Sequence, residues 1–270
     1  MLRSWSMASK DIVRIAAIGD LHYGRTTPHG SLQPLFSQIA ESADILALCG
    51  DITDYGLADE ARAFVKDVGA AMKIPAVAVL GNHDCESNQQ TEIAKILNDA
   101  GIVTLDGDTT EIHGIGFAGV KGFAGGFGRR ALGPWGEDII KRFVHEAVNE
   151  ALKLESALAR LRNDRLVVLL HYSPILATVE GEPCDIYPFL GCSRLEEPLT
   201  RFPVNVVFHG HAHHGRAEGR TRTQVPVFNV SMSLMRELSP ERPFRLVEVG
   251  VAVPAEERRT GADRRGTEVH

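Results

Sequence analysis

"VRIAAIGDLHYG", Val13 to Gly24, opens as a mostly apolar run. It ends in a glycine followed by two ionisable side chains, Asp20 and His22. A short apolar run bounded by turn residues reads as a strand buried on both faces, because a half-exposed strand would alternate apolar and polar positions. The same design recurs along the chain. Ile45–Cys49 runs into "GDITDYG", with Asp51 and Asp54. Val77–Leu80 runs into "GNHDCE", with Asn82, His83 and Asp84. Leu166–Leu170 runs into "HYSP", with His171, and Val204–Phe208 into "HGHAHHG", with His209, His211, His213 and His214. Helical patterns lie between them, at Leu32–Ser42, Asp59–Met72, Thr91–Ala100 and Glu137–Leu161, with a shorter one near Leu195–Arg201. Further strands are expected near Val103–Leu105, Thr110–Ile112, Ile115–Ala118, Val227–Val230 and Phe244–Val249. Alternating β and α elements predict an α/β core. Loops at the carboxyl ends of strands are where such folds build their sites, so the polar clusters converge if the strands are neighbours.

Bulk properties exclude several function classes. The chain has 270 residues, 44% hydrophobic and 24% charged, with a formal net charge of −6. No basic field draws in nucleic acid. No run of about eighteen apolar residues offers a membrane span, and "MLRSWSMASKD" has no apolar signal core. Cys49, Cys85, Cys184 and Cys192 show no paired spacing and read as reduced thiols of a cytoplasmic protein. The expected organisation is a disordered lead over residues 1–10, a single domain over 11–252 and a disordered polar tail over 253–270. Residues 114–136, "GIGFAGVKGFAGGFGRRALGPWG", allow two readings of equal weight. One is a flexible surface connection. The other is a mobile flap that offers Lys121, Arg129 and Arg130 to an anion.

The polar residue types narrow the chemistry. Asp, His and Asn are oxygen and nitrogen donors that suit Mn, Fe, Zn or Co better than calcium, which takes oxygen only. Asp20, His22, Asp51, Asn82, His171, His211 and His213 are too many for one tetrahedral ion. They fit two ions that share one bridging carboxylate. Residues two apart in an extended segment face the same way, so His211 and His213 can enter one site. His209 has the same parity, and parity alone leaves it a candidate.

The ordered set "GDLH", "GD", "GNHD", "H" and "GHAH" resembles that of the calcineurin-like metallophosphoesterases, over Ile12 to about Val251. The resemblance implies a four-layer sandwich, with two mixed β-sheets packed face to face and flanked by helices. It implies that Asp20, His22 and His213 hold one metal, that Asn82, His171 and His211 hold a second, and that Asp51 bridges both. It leaves His209 to packing or hydrogen bonding. The implied activity is dinuclear hydrolysis of a phosphate ester by a hydroxide shared between two Mn, Fe or Zn ions. His83 would then act on the leaving group with Asp84 behind it, and Asn82 would also touch the substrate. "GDITDYG" carries Tyr55 where the protein serine/threonine phosphatases carry arginine, which points away from phosphoproteins. The pattern looks closer to small bacterial phosphodiesterases, whose substrates are small phosphorylated or nucleotide-like molecules. A phosphomonoesterase, a nucleotide pyrophosphatase and a non-catalytic scaffold are the alternatives; the filled ligand positions argue against the last. Asp54 and Tyr55 are expected to finish a turn or cap the next helix, and His214 to be solvated.

Overall fold

The computed structural model describes residues 12–250. The expected lead and tail, 1–10 and 253–270, lie outside the described residues. One sheet holds β1 (Ile12–Ile18), β2 (Ile45–Cys49), β3 (Ala76–Val79), β4 (Ile102–Thr104) and β11 (Arg245–Gly250), in the order β11-β1-β2-β3-β4. Strands β1 to β4 are parallel, and β11 closes the edge antiparallel to β1. The second sheet holds β5 (Thr109–Ile112), β6 (Ile115–Gly119), β7 (Leu166–Leu169), β8 (Val204–His209), β9 (Glu218–Arg220) and β10 (Pro226–Asn229), in the order β5-β6-β7-β8-β10-β9. Its four central strands are parallel, and β5 and β9 are antiparallel edges.

The period of two along each strand sorts side chains between layers. In β1 and β2, Ile15, Ala17, Ile45 and Ala47 face the second sheet and meet Phe117, Val167, Leu169 and Phe208. Ala16, Ile18, Leu46 and Leu48 face the other way. There they pack under α1 (Gln33–Ser42), α2 (Ala58–Val68) and α3 (Gln90–Asp99), through Phe36, Phe64 and Ile93. The outer face of the second sheet is covered by α4 (Asp138–Arg160) and α6 (Glu196–Arg201), through Leu154, Leu158 and Leu199. The result is the α/β/β/α sandwich expected from the sequence. Two further helices are short, α5 (Tyr187–Leu190) and α7 (Met232–Leu238).

Main-chain bonds stitch the carboxyl ends of the two sheets together. Gly19 N–H donates to Val230 O at 2.9 Å, and Met232 N–H donates to Gly19 O at 3.0 Å. The ends of β1, β2 and β3 therefore open beside those of β7 and β8, at the seam between the sheets.

Part of the glycine-rich segment is packed into the fold. Val120, Gly122, Ala124, Gly125 and Gly126 are buried. Gly122 N–H donates to Glu150 Oε2 at 2.7 Å, Gly125 N–H to Pro188 O at 2.7 Å and Gly126 N–H to Gly191 O at 2.9 Å. The glycines are there for close main-chain approach, and most of the surface-facing residues lie in 128–136.

Candidate metal centre

The ends of β1, β2, β3 and β8 deliver their donors through a glycine and a tight turn, and β7 runs directly into His171. Asp20, His22, Asp51 and His211 all adopt positive φ, at 57°, 46°, 48° and 71°. Left-handed backbone costs a non-glycine residue roughly 1–2 kcal/mol. Such strain persists where the surrounding structure over-determines it, often at functional sites. The preceding glycines permit the crowding. A Cβ on Gly81 would lie 2.0 Å from Asp51 Oδ1, and one on Gly210 would lie 2.4 Å from Asp20 Oδ2.

The donors form overlapping groups around one carboxylate, Asp51, and a third group of the same kind joins it to His22 and His83. Asp20, His22 and His213 bring one ligand atom each within 4.8 Å of one another, and so do Asp51, His171 and His211. Asp51 Oδ2 lies 3.9 Å from His22 Nε2 and 3.4 Å from His171 Nε2, between the two groups. Asn82 Oδ1 is 2.8 Å from His171 Nε2, on the second side. Asp51 Oδ1 accepts His83 N–H at 2.8 Å, which leaves Oδ2 to face the donors. Asp20 accepts the main-chain N–H of His211 at 3.0 Å and contacts His213 Nε2 at 3.1 Å.

Main-chain carbonyls fix which nitrogen of several rings faces the site. His171 Nδ1 bonds Cys49 O at 3.0 Å, so Nε2 points inward. His83 Nδ1 bonds Asp54 O at 2.7 Å, again leaving Nε2 free. His211 Nε2 bonds Phe189 O at 3.1 Å, which leaves Nδ1 as its donor. Bonds of this kind set the tautomer of a metal-binding imidazole. His209 is fully buried, with Nδ1 on Gly210 O at 2.7 Å and Nε2 on Thr178 Oγ1 at 2.8 Å. Both of its nitrogens are occupied, which resolves the ambiguity that parity left. His214 is exposed.

The electrostatics show what the pocket lacks without a cation. Burial, with Asp20 and Asp84 nearby, pushes the Asp51 carboxyl up to about 9. Burial holds His171 well below the usual imidazole range, and burial with His171 alongside brings His211 down to about 3. His22 is lowered by burial, whereas the Asp20 hydrogen bond raises His213. Neutral imidazoles beside a carboxyl that resists ionising form a donor set short of positive charge. His22 Nε2 is buried with no hydrogen-bond partner. An orphaned donor atom facing Asp51 fits a metal ion, and so do the oxygen and nitrogen types around it.

One expectation needs correction. Asp84 does not stand behind the His83 ring. Its buried carboxylate accepts Ile52 N–H at 3.2 Å, Thr53 N–H at 2.8 Å, Thr53 Oγ1–H at 2.6 Å and Gly81 N–H at 2.8 Å. Those donors fill both oxygens, so Asp84 braces the β2 loop against the β3 loop. The His83 ring is instead held by Asp54 O, with Glu86 Oε2 3.7 Å from its Nδ1. Asp54 does more than finish a turn, since its Oδ1 also lies 3.6 Å from His22 Nδ1. The three cations of the glycine-rich segment differ in their distance from the donors. Lys121 Nζ folds over the Phe123 and Tyr172 rings, 5.0 and 5.2 Å from their centroids, and bonds Gly122 O. Its charge still reaches Asp51, whose ionisation it favours. Arg129 and Arg130 are exposed on a short turn, and among the described residues neither bonds to the cluster.

The profile of the family described as Calcineurin-like phosphoesterase matches residues 13–215. The chain belongs to that family. It is a phosphoester hydrolase whose His and Asp cluster could hold metal. A comparison with curated protein sequences finds no match. Among solved structures, the phosphoesterase is similar to phosphopantetheinyl hydrolase (PptH) from Mycobacterium tuberculosis, at 18% identity and a TM-score of 0.57, over 86% of this chain and 95% of that one. It is similar to the protein TT1561 of Thermus thermophilus, at 15% identity and a TM-score of 0.52, over 88% and 99%. It is also similar to GAP50, the anchor in the inner membrane complex of Plasmodium, at 15% identity and a TM-score of 0.52, over 83% and 73%. Likenesses at this identity show the fold alone. No helix among the described residues is long and apolar enough to cross a membrane.

Proposed function

We propose that the chain is a dinuclear phosphodiesterase of the cytoplasm, acting on a small phosphorylated or nucleotide-like ester. The observation that carries the dinuclear reading is the position of Asp51 Oδ2, 3.9 Å from one donor group's His22 Nε2 and 3.4 Å from the other's His171 Nε2. Asp20, His22 and His213 hold one ion, Asn82, His171 and His211 the other, and Asp51 both. Mn, Fe and Zn suit this donor set. Bound there, the ions supply positive charge for phosphoryl oxygens and bring water toward ionisation near neutral pH. Ionisation of Asp51 would then become favourable, because nearby cations offset the cost of burying its charge and the like charges of Asp20 and Asp84.

His83 presents Nε2 to the site while Nδ1–H stays on Asp54 O. A protonated ring could hand its Nε2 proton to a departing alkoxide. Asn82 carries an amide N–H2 beyond the oxygen turned to His171, available to a phosphoryl oxygen. The four free cysteines fit a reducing compartment. Metal analysis with a panel of monoesters and diesters tests this reading. About two transition-metal equivalents and faster turnover of diesters are expected. One equivalent or less after reconstitution would sink the dinuclear assignment, and monoester preference would overturn the diesterase.

A further inference from the structure

The turn that presents His211 and His213 is strained, and a buried amide holds it. His211 has φ +71°, and Ala212 N–H donates back to Gly210 O at 2.9 Å. A bond of that span, closed over a residue with positive φ, marks the rare form of the three-residue turn. Such a conformation persists only where its surroundings over-determine it. The Asp20 carboxylate holds the middle of the turn through His211 N–H, at 3.0 Å from each oxygen. Asp20 is itself a proposed ligand, so that hold is shared with the first ion. Ala212, the next residue, is fully buried, and its methyl group offers no polar anchor. Its carbonyl does. It accepts Asn229 Nδ2–H at 2.6 Å, Gly215 N–H at 3.2 Å and Ser231 Oγ–H at 3.3 Å.

Asn229 makes the shortest of these bonds. It is fully buried, the last residue of β10, and pairs with His209 in the ladder between β10 and β8. Its Nδ2 also reaches Thr178 O at 3.5 Å, and its Oδ1 accepts Ser231 N–H at 3.2 Å. The reverse orientation of the amide would set its oxygen against two carbonyls, so the N–H2 group faces the turn. Thr178 Oγ1 in turn bonds His209 Nε2 at 2.8 Å, which ties the loop after β7 into the same set of bonds. There is little room for the amide to move, since a Cβ on Gly215 would lie 3.1 Å from Asn229 Nδ2. The Ala212 carbonyl belongs to the peptide that joins it to His213, and the Ala212 N–H to the peptide that joins it to His211. Groups that fix both peptides fix the aim of both rings, which the proposed assignment gives to different ions.

We propose that Asn229 is a positioning residue, whose buried amide holds the Ala212 carbonyl and so aims His211 and His213 at their two ions. The proposal rests on the dinuclear reading and adds a residue outside its donor set. The test titrates cobalt(II) into full-length metal-free protein and follows the visible absorption of the bound ion. Asn229→Ala should weaken cobalt binding about 10–100-fold, as loss of a group that orients metal ligands does, and should shift the absorption bands. Val227→Ala is the control, because it removes fully buried apolar packing from the same strand. It should lower Tm and leave affinity and bands unchanged. Wild-type affinity with wild-type bands in Asn229→Ala overturns the proposal. So does equal weakening in both variants, since affinity would then follow overall stability. Asn229→Ser, whose hydroxyl is one bond shorter than the amide, serves where alanine prevents folding. Failure of both to fold would assign Asn229 to the core alone and also overturn the proposal. Amide hydrogen exchange in the metal-free protein separates the two claims. If the wild type takes up no cobalt, the dinuclear reading fails. Faster exchange over 210–215 in Asn229→Ala, and not in Val227→Ala, still supports the hold on the turn, and unchanged exchange overturns it.

Discussion

His83 is proposed to act on the leaving group and not as a required metal ligand, although it also groups with His22 and Asp51. Its Nδ1 is tied to Asp54 O at 2.7 Å and its main-chain N–H to Asp51, so the ring has one orientation and one free nitrogen. If that nitrogen serves the leaving group, His83→Ala should keep both metals and lose kcat by about 10²–10⁴-fold on an alkyl ester. The loss should be much smaller on a p-nitrophenyl ester, whose phenolate departs unaided. Equal losses on both, measured beside metal content, would assign His83 to phosphate positioning. Asp51 gives a different kind of prediction, for the metal-free protein. Its folded carboxyl is raised to about 9 from an ordinary 3.8. The folded protein thus keeps a proton that the unfolded chain has released, and that contribution to stability is lost as pH rises through about 9. The buried histidines act oppositely, because His211 is depressed from 6.5 to about 3 and loses its contribution as pH falls below its unfolded value. Between about pH 7 and about pH 9 Asp51 dominates, at roughly 1 kcal/mol per pH unit. Denaturant titrations with chelator should show that decline in wild type and a flat profile in Asp51→Asn. A decline of the same slope in both proteins would mean that another group carries it.

Glycines close to the strand ends make the turns possible, and they can be tested as a class. A Cβ on Gly81 would lie 2.0 Å from Asp51 Oδ1, whereas one on Gly101 would meet nothing within 4 Å. Gly81→Ala should therefore displace the bridging carboxylate and lower metal content at both positions. Gly101→Ala, at φ +88°, should cost only about 1–2 kcal/mol of stability through strain. Full metal content in Gly81→Ala would show that Asp51 is not where both ions meet. The strands were legible because β1, β2, β3, β7 and β8 are apolar runs with a glycine or histidine punctuating each end. The edge strand β9, Glu218–Arg220, was not legible, since three residues of "EGR" carry no apolar period. Neither was α5, with four residues and Pro188 inside them. The candidate donors could be read from their order at the strand ends, but their division between two ions came from the family resemblance. Asp84 and Asp54 could not be placed, because nothing in "GNHD" or "GDITD" tells which carboxylate faces a ring and which faces main-chain N–H groups. The exposed turn Gly128–Arg130 keeps an open role. Replacing Arg129 and Arg130 together by alanine should raise KM for a phosphate ester at unchanged metal content. Identical kinetics would make 128–136 an ordinary surface connection.

The two sheets divide the donor set between them. Asp20, His22, Asp51 and Asn82 follow β1, β2 and β3 of one sheet; His171, His211 and His213 follow β7 and β8 of the other. Each proposed ion therefore draws ligands from both sheets, His213 joining Asp20 and His22, and Asn82 joining His171 and His211. The layers are already held by an apolar interface that includes Ile15, Ile45, Val77, Phe117, Leu169 and Phe208, all fully buried. The metal-free protein should accordingly remain folded and melt cooperatively. A ligand that binds only the folded state adds RT ln(1 + [L]/Kd), about 2.7 kcal/mol at a hundredfold excess over Kd. For a chain of this size that corresponds to a rise in Tm of roughly 5–10 °C. The rise should disappear on chelation and be nearly abolished in Asp51→Asn. His213→Ala and Asn82→Ala should each lose part of it, because His213 is the first ion's link to the opposite sheet and Asn82, with Asp51, is one of the second ion's two. Scanning calorimetry with manganese or zinc, set against chelator, reads all of these at once. An unshifted wild-type Tm at saturating metal would mean that the ions do not bind across the seam. A shift abolished by His213→Ala but untouched by Asn82→Ala would reduce the clamp to a single ion.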